Sequence, residues 1–93
     1  MSESINKEVI TIARQKVGEY IKMIREEKGY TLYEVAQKSG LQITQLRKIE
    51  AGEGFTIDSF LAIIHGLDLY FFLRDKEGKH LDFVDMAKKM KND

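Results

Sequence analysis

Between Gln42 and Ala51 one stretch of the chain concentrates the side chains best suited to chemistry: Thr44, Arg47 and Lys48. If Leu46 and Ile49 mark a buried stripe, the 100° step of a helix sets Thr44 and Lys48 almost opposite it, with Arg47 and Ala51 beside them. A hydroxyl and two cations so arranged are hydrogen-bond donors on an outer face. Their chemistry is recognition of a polyanionic surface, and duplex DNA suits it. Catalysis has no comparable support: there is no Ser/His/Asp spacing and no glycine-rich phosphate loop, so no catalytic residue and no cofactor is assigned. No metal ligand is assigned either. His65 stands at an expected helix C-terminus, where an imidazolium suits the dipole, and His80 has no cysteine or nearby histidine partner.

Those side chains need elements to hold them. Val17, Tyr20, Ile21 and Ile24 recur at helical spacing, which predicts a first helix from Val17 to Lys28 closed by Gly29. Thr31-Leu32-Tyr33-Glu34 reads as a capping box, with Tyr30 and Val35 at staple spacing, and opens a second helix over Leu32 to Lys38. Gly40 supplies the positive φ of a tight turn. A third helix spans about Gln42 to Ala51, with Leu46 and Ile49 inward. Two short helices joined by a glycine turn, the second polar outside, have helix-turn-helix logic: one crosses the DNA backbone and the next enters the major groove. Thr56 caps a fourth helix, with Phe55 and Phe60 as its staple, that ends at Gly66. Beyond it, Leu69-Tyr70-Phe71-Phe72-Leu73 predicts a strand, Asp75-Lys76-Glu77-Gly78 a turn, and His80 to Phe83 the return of a hairpin, followed by a basic helix to about Lys91. The N-terminal extension stays open: Val9-Ile10-Thr11-Ile12 favours a strand, whereas Ile5, Val9, Ile12 and Lys16 suit a helix.

The expected architecture is therefore mainly α, a four- to five-helix domain with a small C-terminal β-strand or hairpin. It divides into an extension over 1–16, a helix-turn-helix unit over 17–67, and a β element with a short helix over 68–93. Ninety-three residues support one modest core. Without cysteine the fold must rest on packing, as in a reducing cytosol, and the polar N-terminus has no secretory h-region; a cytoplasmic protein is expected. The longest apolar stretch, from Phe60 to Leu73, falls short of the ~20 residues that span a bilayer, so no membrane partner is expected. Fifteen basic residues balance fifteen acidic ones. That neutrality argues mildly against a nucleic-acid binder and favours a rival reading, a protein-interaction module or antitoxin whose partner is a toxin protein.

Arg25, Gly29, Tyr30, Thr31, Leu32, Glu34, Ala36, Gly40, Leu41, Leu46, Ile49, Glu50 and Gly52 together resemble the phage-repressor/Cro-type helix-turn-helix family over about residues 17 to 67. The apolar strand after the last helix resembles that of hip-type antitoxins, where it joins two subunits. The resemblance implies a repressor that binds a palindromic operator as a homodimer. It implies base reading by Gln42, Ile43, Thr44, Arg47 and Lys48. Arginine and lysine suit guanine, glutamine suits adenine, and Ile43 suits a thymine methyl. It further implies phosphate contacts from the helix 2 N-terminus at Thr31, Leu32 and Tyr33, and a structural ion pair between Arg25 and Glu50; Lys38, outside that implication, reads as a solvent-exposed cation with phosphate contact as the lesser alternative. Leu69, Tyr70, Phe71, Phe72 and Leu73 are the expected dimer interface. Leu32, Gln42 and Ile43 depart from the family's usual polar choices, which predicts a weaker phosphate clamp and a frayed start to the recognition helix.

Overall fold

The computed structural model describes residues 6–92. Its order is α1 (Lys7–Glu27), α2 (Leu32–Ser39), α3 (Ile43–Glu50), α4 (Ile57–Gly66), β1 (Phe72–Arg74), β2 (His80–Asp82) and α5 (Phe83–Asn92). This is the expected mainly α architecture with a C-terminal hairpin. Residues 7–16, undecided from sequence, are helical and continuous with the first predicted helix; residues 1–5, Ile5 among them, lie outside the described residues. The side chain of Asn6 accepts the Val9 N–H at 2.9 Å, so a good cap and helical spacing override the β-branched preference of Val9 to Ile12.

The core is built by α1 to α4: Ile21 and Ile24, Val35 and Ala36, Leu46 and Ile49, then Ile63 and Leu67. Each fully buried aliphatic side chain stabilises the fold by about 1.5–3 kcal/mol relative to exposure. The first helix buries less of its stripe than its spacing suggested, because Val17 and Tyr20 remain exposed while Ile21 and Ile24 turn inward. α1 instead presses on α3 through Gly18, where a Cβ would lie 2.3 Å from the Ile49 carbonyl oxygen. Arg14 also donates from Nε to the Gly52 carbonyl at 2.8 Å, tying α1 to the loop after α3.

The expected strand over Leu69 to Leu73 needs correction, since pairing begins only at Phe72 and runs to Arg74. The cause lies in how α4 ends. Leu67 caps it, Asp68 takes φ +57°, and the Leu69 N–H donates to the Ile64 carbonyl at 2.8 Å, which folds Leu69 back onto the core. Phe71 then packs edge-on against Phe60, with centroids 5.6 Å apart, and 6.5 Å from Phe83. From here the chain pairs: the Phe71 carbonyl accepts the Phe83 N–H at 3.2 Å, and the strand register sets Phe72 opposite Asp82, Leu73 opposite Leu81 and Arg74 opposite His80. Asp75 closes the hairpin by accepting the N–H groups of Glu77 and Lys79 at 2.9 and 3.0 Å. Gly66 is the last residue of α4, where that helix was expected to end. Its lack of a side chain admits α2, because a Cβ would meet Ser39 Oγ at 2.0 Å. Among the described residues no helix is long and apolar enough to cross a membrane.

Candidate nucleic-acid interface

The candidate face starts with the N-terminus of α2. Thr31 Oγ1 accepts the Glu34 N–H at 3.1 Å, and Glu34 Oε1 accepts the Thr31 N–H at 2.9 Å. The second bond favours the ionised carboxylate and, with the Thr31 hydroxyl adding to it, holds the Glu34 pKa below the usual carboxylate value, the Thr31 N–H contributing most. The reciprocal cap fixes the entry of α2 and leaves the N–H groups of Leu32 and Tyr33 at a helix N-terminus, a place suited to an anion. Tyr33 is exposed and Leu32 half-buried.

At the other end of α2, Gly40 takes φ +71°, and its N–H and that of Leu41 close onto Gln37 and Ala36 carbonyls. That turn swings the chain into α3. Gln42 lies at the N-cap, and its N–H donates to Gln45 Oε1 at 2.9 Å. The expected fraying is thus countered by a glutamine three residues on, a partner the sequence reading overlooked. Leu46 and Ile49 are buried, and Thr44, Arg47 and Lys48 are exposed on the opposite side. Gln42 is exposed as well, while Ile43 is half-buried and packs against the core edge.

Beneath this face Arg25 grips Glu50 with both arms, Nε to Oε2 at 2.6 Å and Nη2 to Oε1 at 3.1 Å, and donates from Nη1 to the Tyr30 carbonyl at 2.9 Å. The carboxylate hydrogen bond outweighs burial and raises the guanidinium pKa above its already high ordinary value. The pair joins α1, the α1–α2 turn and the end of α3, so the helix carrying Arg47 and Lys48 is held from behind. A notch of ≈ 290 Å³ opens beside it, lined by Lys22, Leu32 and Arg47 with the ion pair. Lys22 was missed in the sequence reading; its position three residues before Arg25 on one helix was the available signal. A second notch of ≈ 420 Å³ lies between α2 and the start of α3, with Tyr33 and Gln37 on one wall and Gln42, Ile43 and Thr44 on the other.

Lys38 does not extend the face. Its ammonium donates to Tyr30 Oη at 3.1 Å and to Asp68 at 3.4 Å, and lies 4.4 Å from the Tyr30 ring centroid. Those partners, the Tyr30 hydroxyl first, raise its pKa. They tie α2 to the link after α4. The aromatic segment is split: Leu69 and Phe71 turn inward, whereas Tyr70 is 81% and Leu73 60% exposed, with Phe72 half exposed. Tyr70 borders a groove of ≈ 590 Å³ between α1, α4 and the start of β1, whose opposite wall is Val17 and Tyr20.

The geometry has known counterparts. A helix-turn-helix family model matches residues 21–71. The restriction-modification controller protein C.Esp1396I, in a structure bound to a 19 base pair DNA duplex, is 41% identical over 59% of this chain and 75% of that one, with TM-score 0.56. An arginine-to-alanine mutant of C.Esp1396I matches more of the chain, 84% of this one and 91% of that one, at 33% identity and TM-score 0.56. The controller protein C.AhdI from Aeromonas hydrophila, 24% identical over 62% of this chain and 89% of that one with TM-score 0.59, shares the fold. Among curated proteins none matches the chain. A capped α2, a glycine turn, an α3 with buried Leu46 and Ile49, and a family match spanning all of them lead to one assignment: this chain belongs to the helix-turn-helix family of phage-repressor/Cro type, whose members are DNA-binding regulators.

Proposed function

We propose that the chain is a transcription regulator of the controller type, rather than an enzyme, acting in the cytoplasm as a homodimeric repressor on a palindromic operator. The observation that carries this reading is the outward face of α3. Thr44, Arg47 and Lys48 are exposed on the side opposite Leu46 and Ile49, and the Arg25–Glu50 pair stiffens the helix behind them. α3 lies in the major groove, where Gln42, Ile43, Thr44, Arg47 and Lys48 face base edges. Thr31, Leu32 and Tyr33 present the α2 N-terminus to one phosphate, with Lys22 and Arg47 supplying positive charge nearby. Lys38 contributes least, because it would have to leave Tyr30 and Asp68. By analogy with C.Esp1396I, the regulated genes are those of a restriction-modification system.

Selecting bound duplexes from a random pool tests the proposal. A two-fold symmetric motif is expected, with log K falling against log salt by about 0.9 per phosphate neutralised. Recovery of no motif at low salt would instead favour the protein-interaction or antitoxin reading, for which the apolar groove beside Tyr20 and Tyr70 is the natural docking surface.

A further inference from the structure

The notch between α2 and α3 has a composition that the reading face on α3 alone does not explain. Its floor is apolar, formed by Ala36, Leu41 and Ile43, while its outer walls carry Tyr33 and Gln37 from α2 and Gln42 and Thr44 from α3. Tyr33 and Gln37 are one turn apart, and both lie on the side of α2 away from Val35, which is fully buried. Gln37 is exposed and stands at the end of α2 that runs into the Gly40 turn, so its carboxamide borders the same opening as the first residues of α3. That end of a recognition helix is the one that approaches base edges in this kind of docking.

We infer that the notch is a reading site for one A·T pair, with Gln37 as a specificity-determining residue on α2. The inference rests on the DNA-binding reading above. A glutamine carboxamide offers one donor and one acceptor side by side, which matches adenine N7 and N6 in the major groove and no other base as well. The thymine of the same pair carries a 5-methyl group on that edge, and the floor of Leu41 and Ile43 is the apolar surface it requires. Leu41 and Ile43 keep this floor because both are half-buried and pack against the core on their inner side. Tyr33 lines the same notch one turn before Gln37.

The test compares operator selections by the full-length wild type and Gln37→Ala, followed by binding to the wild-type operator with uracil in place of each thymine. Gln37 is exposed and alanine is the best helix former, so the substitution leaves the fold intact, which a melting curve verifies. The expected result is loss of preference for A·T at one position in each half-site, about ten-fold or more, with every other position retained. Uracil at that same position should weaken wild-type binding about four-fold, the effect of one methyl group, and Ile43→Ala should abolish that sensitivity. If Gln37→Ala weakens all sequences alike, Gln37 is a phosphate contact and the inference is overturned; an unchanged motif overturns it equally. A wild-type protein that enriches no motif brings down the DNA-binding reading itself, an outcome separate from either of these.

Discussion

Lys48 and Thr44 face away from Leu46 and Ile49 by helical periodicity alone, and the folded chain exposes both. A side chain that reads a base discriminates between sequences, whereas one that binds phosphate strengthens all of them. Lys48→Ala and Thr44→Ala are therefore expected to relax base preference at one or two positions by about 1–3 kcal/mol, with melting unchanged. Uniform weakening across sequences would reassign Lys48 to the backbone. At this scale the sequence was legible wherever a role depends on neighbours three or four residues away. The Thr31–Glu34 box is an example, and Gln45 bonding to the Gln42 N–H follows the same spacing although it was overlooked. Lys38 was less legible. Its partner Asp68 comes from thirty residues on, and only the packing of α2 beside the end of α4 brings it near.

Elements show where local pattern stops being enough. The helix-turn-helix was readable because caps, turn glycine and inward aliphatics all agree, the consistency expected of a strongly specified segment. The strand at Leu69 was misplaced because its start is set by the wrap at Asp68 and by the seat of Phe71 between Phe60 and Phe83, neither of which leaves a periodic trace. Gly18 falls in the same class: on paper it is a helix weakener, while in the fold it is the contact that brings α1 onto α3. Gly18→Ala would force a methyl group toward the carbonyls of Ile49 and Glu50. Overpacking of this kind costs about 1–3 kcal/mol, so a lower Tm is expected despite the better helix propensity of alanine. A Tm at or above that of the wild type would show that α1 can shift without cost. The cap of α2 is pH-dependent. Because the folded-state pKa of Glu34 is depressed, its contribution is complete above the ordinary glutamate value and is lost as pH falls through the lower folded one. Chemical denaturation in acid should show this loss in the wild type and its absence in Glu34→Gln.

For the whole molecule, the balanced charge and the divided aromatic segment bear on assembly. Fifteen positive and fifteen negative side chains leave no net charge to draw DNA in from a distance, so on the proposed reading operator affinity rests on local contacts and on doubling them in a dimer. A two-fold dimer would place two recognition helices about 34 Å apart on one side of the duplex. The surface available for it is apolar and lies away from α3: Tyr70 ahead of β1 and Leu73 within it are exposed, and Val17 and Tyr20 line the groove that Tyr70 borders. Phe71 is a poor probe of that surface, since it packs on Phe60 and a charge there would disturb the core. Tyr70→Glu and Leu73→Glu separate the two effects. Each should lower the dimer population in sedimentation equilibrium and weaken operator binding, while the monomer melts as before and Thr44, Arg47 and Lys48 stay in place. A wild-type protein that sediments as a monomer at tens of micromolar without DNA would remove this interface, and dimerisation would then have to be driven by the operator itself.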